Sequence, residues 1–192
     1  FADAAGADSF RPRILTNKGG YLYGLGKIRE ASEHNRQGAR WAQRFGDSFE
    51  YIAGCAGAAI CHTVMGRYEE ALAEAREVER AAGTLRDTRH MTRAFELQGL
   101  VLYHLGLFDD AGRFVERALQ TYSGHEYVDV GPRLDWLKAR LAAARGNVED
   151  ALRELRRIEA ALQAAPDLED LWGVQVEANL LASRQERAGS RL

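Results

Sequence analysis

Between Val148 and Leu162 the large apolar residues fall at Val148, Leu152, Leu155, Ile158 and Leu162, at intervals of three and four with charged residues between them. That spacing gathers them on one stripe of a helix. The chain as a whole reads as helix after helix, without strands.

The helices are punctuated at a constant interval. Met65-Gly66-Arg67-Tyr68-Glu69-Glu70-Ala71-Leu72 lines up with Leu105-Gly106-Leu107-Phe108-Asp109-Asp110-Ala111-Gly112, forty residues later. Leu25-Gly26-Lys27-Ile28-Arg29-Glu30-Ala31-Ser32 stands forty before, and Arg145-Gly146-Asn147-Val148-Glu149-Asp150-Ala151-Leu152 forty after the third. In each block a glycine ends one helix, because it takes a left-handed backbone at no steric cost. Two residues later a large apolar side chain (Ile28, Tyr68, Phe108 or Val148) anchors the next helix. Acidic residues follow in its first turn, where the helix dipole favours negative charge. An alanine three residues beyond the anchor (Ala31, Ala71, Ala111, Ala151) shares its face and lets two helices approach closely. Seven residues before each turn stands another small residue, Gly19, Ala59, Gly99 or Ala139, two helical turns back on the face toward the partner helix.

The pattern predicts helix pairs at about 12–25 with 28–44, 48–65 with 68–82, 88–105 with 108–122 and 131–145 with 148–163. The repeat hairpins are then 12–44, 48–82, 88–122 and 131–163 of a single solenoid over 1–192. A last helix at about 168–186, after Pro166 and with Asp167 as its cap, is expected to cover the end of the stack. Pro12 suits the opening turn of the first helix. Gly46-Asp47-Ser48, Gly83-Thr84 and Ser123-Gly124 through Gly131-Pro132 read as the loops between hairpins, with Tyr122, Tyr127 and Val128 expected to tuck the longest of them against the stack. Gly19, Gly20, Gly24 and Gly26 crowd the first helix, which is expected to fray or to need support from elsewhere, since an interior glycine costs roughly 1 kcal/mol relative to alanine.

Composition agrees with this picture. Hydrophobic residues make up 46% and charged residues 28%, as in a globular domain, and three prolines leave helices uninterrupted. The 26 basic and 28 acidic residues give a net charge of -2, so no global field points to nucleic acid. No apolar run is long enough to span a membrane. The start at Phe1, without a methionine or a basic segment leading into an apolar one, reads as a fragment or processed product without a signal peptide. Cys55 and Cys61 lie about 240° apart around a helix. They read as two small buried residues in a reducing compartment, with a cytoplasmic location as the default.

The small residue in a first helix, the glycine turn, the aromatic after it and the alanine early in the second helix resemble the tetratricopeptide repeat (TPR) family. These roles fall on Ala59, Gly66, Tyr68 and Ala71, and on Gly99, Gly106, Phe108 and Ala111. The resemblance covers about residues 12–165. It implies an all-α fold, a right-handed α-solenoid of antiparallel helical hairpins in a TPR-like superhelix, and a protein-protein interaction module with neither enzyme activity nor cofactor. The sequence also departs from the family. Its period is 40 where about 34 is usual. The early tryptophan is replaced by Leu15, Cys55, Phe95 and Asp135, with Trp136 next door in the fourth unit. The proline that usually closes the second helix is missing from the first three units. The long period is similar to the sensor repeats of large bacterial transcription activators, of the maltose-activator or antibiotic-regulator type. That likeness implies a regulatory or scaffolding segment of a larger bacterial protein.

In such a solenoid the first helices line a concave surface, and residues forty apart form columns along it. One column is Arg13, Arg93 and Arg133, with Ala53 in the second unit, and another is Tyr23, Thr63 and Tyr103. Glu96 and Trp136, Leu100 and Arg140 stand near them, with His104 at the edge. Arginine and aromatic residues are the types that anchor interfaces, so the expected partner is a peptide or helix carrying an acidic group, bound in the groove. The same spacing would arise from solvated arginines and aromatics that only pack between repeats. The carboxylate clamp known in the family is incomplete, because Leu97 and Gly57 stand where polar groups are needed beside Arg93. His34, His62, His90, His104 and His125 are scattered, and Cys61-His62 point apart, so no metal site is expected. Glu69-Glu70 and Asp109-Asp110 recur at helix starts, where the dipole explains them without acid-base chemistry. Arg153-Glu154-Leu155-Arg156-Arg157, interleaved with Glu149 and Glu159, reads as helix-surface pairing and not a phosphate track. An effector-sensing domain of a transcription regulator and a self-association unit, the latter through Trp136, Trp172 and the last helix, are the alternative functions.

Overall fold

The computed structural model describes residues 9–121, 130–163, 178, 181 and 182. Among the described residues stand eight helices and no strand: α1 (Arg11–Gly24), α2 (Ile28–Phe45), α3 (Ser48–Val64), α4 (Tyr68–Leu85), α5 (Thr88–His104), α6 (Phe108–Thr121), α7 (Val130–Ala144) and α8 (Val148–Gln163). Consecutive helices pack as antiparallel hairpins. The first helices α1, α3, α5 and α7 also touch one another in series, forming one layer with the second helices behind it. This is an all-α solenoid of tetratricopeptide-like hairpins.

Local backbone chemistry sets the turns. Gly26, Gly66, Gly106 and Gly146 have left-handed φ values of 74, 72, 76 and 89°. Each closes its helix with paired capping bonds, as where Gly66 N donates to Thr63 O at 3.0 Å and Arg67 N to His62 O at 2.8 Å. Gly46 and Arg86, with φ of 70° and 54°, end α2 and α4 in the same way. The helices that follow these two begin differently: Asp47 and Asp87 accept from the backbone N–H of Glu50 and His90, each at 3.1 Å.

Two expectations are corrected. Gly83 and Thr84 are not a loop but the last turn of α4, and the chain reverses at Arg86-Asp87, where the aspartate supplies the cap. Gly131 and Pro132 lie in the first turn of α7, where proline's missing N–H would have had no helical partner. The first helix is continuous over Arg11–Gly24 despite its glycines. Gly19 is needed there, because a Cβ would come within 2.3 Å of the Asn35 side chain of α2. Residues 122–129, with Tyr122, Tyr127 and Val128, lie outside the described residues, as does most of the expected closing helix, including Asp167 and Trp172. Its described members Ala178 and Leu181 pack on Leu155, Ile158 and Ala139.

Small residues govern the distances between helices. Ala31, Ala71, Ala111 and Ala151 are completely buried. A Cβ on Gly99 would stand 3.3 Å from the Ala111 carbonyl, and one on Gly54 only 2.7 Å from the Asn35 carbonyl. Larger side chains then lock hairpin to hairpin, as in the cluster of Ile52, Cys55, Val78 and Ala94 and that of Phe95, Ala118 and Leu134.

Candidate ligand groove

Residues at heptad-like spacing on α1, α3, α5 and α7 share one exposed face, and together they line a groove. Its larger part is a cavity of about 520 Å³ bordered by Tyr23, Ile60, Thr63, Val64, Tyr68, Arg93, Glu96, Leu97, Leu100, His104, Arg133, Trp136, Leu137 and Arg140. A second cavity of about 470 Å³ continues it along α1 and α3, sharing Tyr23, Ile60 and Arg93. Arg13, Asn17, Asn35 and Glu50 supply polar groups there, and Gly20, Ala53, Ala56 and Gly57 leave room between them.

The charged centre is Glu96, which is buried on α5. Arg93 Nη1 lies 2.6 Å from each of its carboxylate oxygens, and Arg133 Nε of α7 lies 3.4 Å from Oε1. The Glu96 carboxylate thus lies between hydrogen-bonded Arg93 of its own helix and the charge of Arg133 on the neighbouring first helix. Two turns further along α7, the Arg140 guanidinium lies 5.2 Å from the Tyr103 ring centre and 5.3 Å from that of Trp136. Three guanidiniums and one carboxylate thus border this part of the cavity. Tyr68 stacks on His104 with ring centres 6.0 Å apart and forms the wall opposite. Ile60, Leu97, Leu100 and Leu137 make the apolar floor.

Of the residues singled out by their columns, Tyr23, Thr63, Arg93, Glu96, Leu100, His104, Arg133, Trp136 and Arg140 border the larger cavity, and Arg13 borders the second, 4.0 Å from Glu50. Tyr103 is not part of the lining. Its ring packs on Phe108, 5.7 Å away across the turn, and backs Arg140 from behind. The sequence columns omitted Ile60, Val64, Leu97 and Leu137, and gave Tyr68 only as the anchor after the turn. Their signal was present in the period, since Ile60 shares a register with Leu100 and Arg140, and Leu97 with Leu137.

Two buried polar groups stand away from the lining's charged centre. On α3, His62 Nε2 lies 3.0 Å from Ser32 Oγ of α2. Burial, reinforced by Arg67 and Arg36, lowers its pKa below the usual histidine value. Burial beside the Glu74 carboxylate pushes the Cys55 thiol up to about 12, so it is a protonated packing group and not a nucleophile. Cys61 is buried too, and the two cysteines are not bonded to each other. Among the described residues no group of three or more histidine, cysteine or acidic side chains is placed to hold a metal ion. None of the described helices is long and apolar enough to cross a membrane.

The lining from Arg133 to Arg140 belongs to the fourth hairpin. Residues 132–157 match the family model of the tetratricopeptide repeat. The tetratricopeptide match thus runs from the first turn of α7 into α8 and takes in Arg133, Trp136, Leu137 and Arg140. The other three hairpins carry the same turn and the same buried alanine at forty-residue intervals. Among curated proteins, none matches the chain.

Proposed function

We propose that this chain is a protein-interaction module that binds a peptide or helix carrying an acidic group in the groove of its first helices, and that it acts as a regulatory or scaffolding segment of a larger protein. The observation that carries the reading is the placement of Arg93, Arg133 and Arg140 over an apolar floor in one cavity. A carboxylate entering there meets oriented donors, and its apolar neighbours find Leu97, Leu100 and Trp136.

Peptide display against the intact chain tests this. Selected peptides should be enriched in aspartate or glutamate flanked by apolar residues, and Arg133→Gln with Arg140→Gln should weaken them at least tenfold. Rising salt should weaken them too. Selected peptides without acidic residues, or binding indifferent to both substitutions, would overturn the reading.

One observation favours a second reading, an effector-sensing domain: a cavity of about 520 Å³ lies within the range of small-molecule sites, about 300–1,000 Å³. A thermal-shift screen of anionic aromatic compounds distinguishes it, since a bound effector raises the melting temperature by an amount that grows with the logarithm of its concentration above Kd. Self-association through Trp136 has less support, because that ring lines the groove.

A further inference from the structure

Helix α1 carries two large apolar side chains that are left in water, Ile14 and Tyr21, 61% and 70% exposed. The repeat register says what such positions do elsewhere in the molecule. Forty, eighty and 120 residues after Ile14 stand Gly54, Ala94 and Leu134, and the same steps after Tyr21 lead to Cys61, Val101 and Leu141. All six are buried.

What buries them is the second helix of the preceding hairpin. Gly54 lies against the α2 backbone at Asn35 and Ala39, Ala94 packs with Val78 and Ala82 of α4, and Leu134 with Ala118 of α6. The covering side chains are mostly alanine and valine. A polar contact flanks one of these interfaces: Gln98 of α5 donates to Glu79 of α4 at 2.7 Å. Lys18 occupies the position of Gln98 in α1. Between residues 11 and 24 the basic residues are Arg11, Arg13 and Lys18, and there is no acidic one. Arg11 lies over the Trp41 ring of α2 and Arg13 4.0 Å from Glu50 of α3, so Lys18 is the basic residue at the register of Gln98, where a carboxylate like that of Glu79 would be complementary.

We propose that the outer face of α1 is a docking surface for one further helix, striped with alanine and valine and flanked by a carboxylate, seated as α2, α4 and α6 sit on α3, α5 and α7. This surface continues the series of interfaces already present in the molecule, and it is separate from the groove. A large apolar stripe left in water marks an interaction site, and the register supplies the shape and charge of what fits it.

The probe is a labelled peptide of residues 68–85, which carries Ala75, Val78, Glu79 and Ala82, titrated with the full chain in fluorescence anisotropy. Saturable one-to-one binding is expected, weakened at least tenfold by Ile14→Glu with Tyr21→Glu. Circular dichroism of that variant should be unchanged, because both side chains are exposed. Arg133→Gln with Arg140→Gln in the groove should leave this binding intact, so failure here and failure of the groove reading are told apart. In a second measurement, residues 68–87 are joined ahead of Asp8 of the full chain, repeating the Arg86-Asp87 junction that precedes α5. The melting temperature of this chimera should rise by several degrees. Absence of both peptide binding and stabilisation overturns the proposal, as does binding unaffected by the α1 substitutions. A dimer in sedimentation equilibrium that those substitutions abolish would give the surface to a second copy instead.

Discussion

At Arg86 the backbone is left-handed, with φ of 54°, in a place where the equivalent turn, Gly46, uses glycine. A side chain in that conformation costs roughly 1–2 kcal/mol, part of which a glycine returns through the greater freedom of its unfolded chain. Arg86→Gly should therefore stabilise the protein by about 0.5–1 kcal/mol, measured as a shift in the urea midpoint at constant slope. An unchanged or lower midpoint would mean that the arginine side chain contributes more than its backbone costs. His62 gives a prediction in pH. Burial first, then Arg67 and Arg36, lower its pKa, against the opposing pull of Glu70. Below the unfolded-state value of about 6.5 the unfolded chain takes up a proton that the native chain does not hold, so stability rises with pH in that window and is lost as pH falls. The slope for one proton is at most about 1.4 kcal/mol per pH unit. Denaturation of His62→Asn between pH 7.5 and 5 should show a flatter dependence than the parent, whatever its absolute stability. Equal slopes would assign the loss to other groups.

Between elements, the distance from helix to helix is decided by side chains of almost no volume. Alanine is favoured over glycine within a helix by about 1 kcal/mol, yet a Cβ at Gly54 would meet the α2 backbone at 2.7 and 2.8 Å. Backbone cannot swing aside as a side chain can, so the two helices must separate. Gly54→Ala is expected to destabilise by about 2 kcal/mol net of its helix preference. Gly20→Ala, where nothing lies within 4 Å of the added carbon, should stabilise by up to about 1 kcal/mol. Thermal melts of the pair check the sign, and a common sign would refute the packing argument. The same contrast explains what could be read in advance. A left-handed glycine every forty residues announced the hairpins, because few other residues tolerate that backbone. Arg86 gave no such signal, and Gly83 in α4 gave a false one, so the end of α4 was placed three residues early. The groove columns were legible because one helix face repeats with the chain's own period. Ile60, Val64, Leu97 and Leu137 were omitted because an apolar residue facing a groove looks, in sequence, like one facing a core. The wedge of Asn35 between Gly19 and Gly57 joins three helices, and no spacing along a single helix encodes it.

For the whole molecule, each hairpin finds its stability mainly in its neighbours, since the contacts run between successive helices and between adjacent first helices. The two ends differ. Ala178 and Leu181 pack on the last hairpin, whereas among the described residues no helix covers Ile14 and Tyr21 of α1. Local opening should therefore begin at α1. In native-state hydrogen exchange the α1 amides should exchange at least tenfold faster than those of α3 and α5, and equal protection along the array would show that the stack opens as one unit. The left-handed positions at 26, 46, 66, 86 and 106 make the solenoid a ruler with a mark every twenty residues. A tandem duplication of residues 48–87 would join Asp87 to Ser48, a step the chain already takes from Asp47 to Ser48 and, in kind, from Asp87 to Thr88. Such an array can grow by whole copies without inventing a junction, and each copy adds one more layer of the length of α3 to the groove without changing the residues at either end.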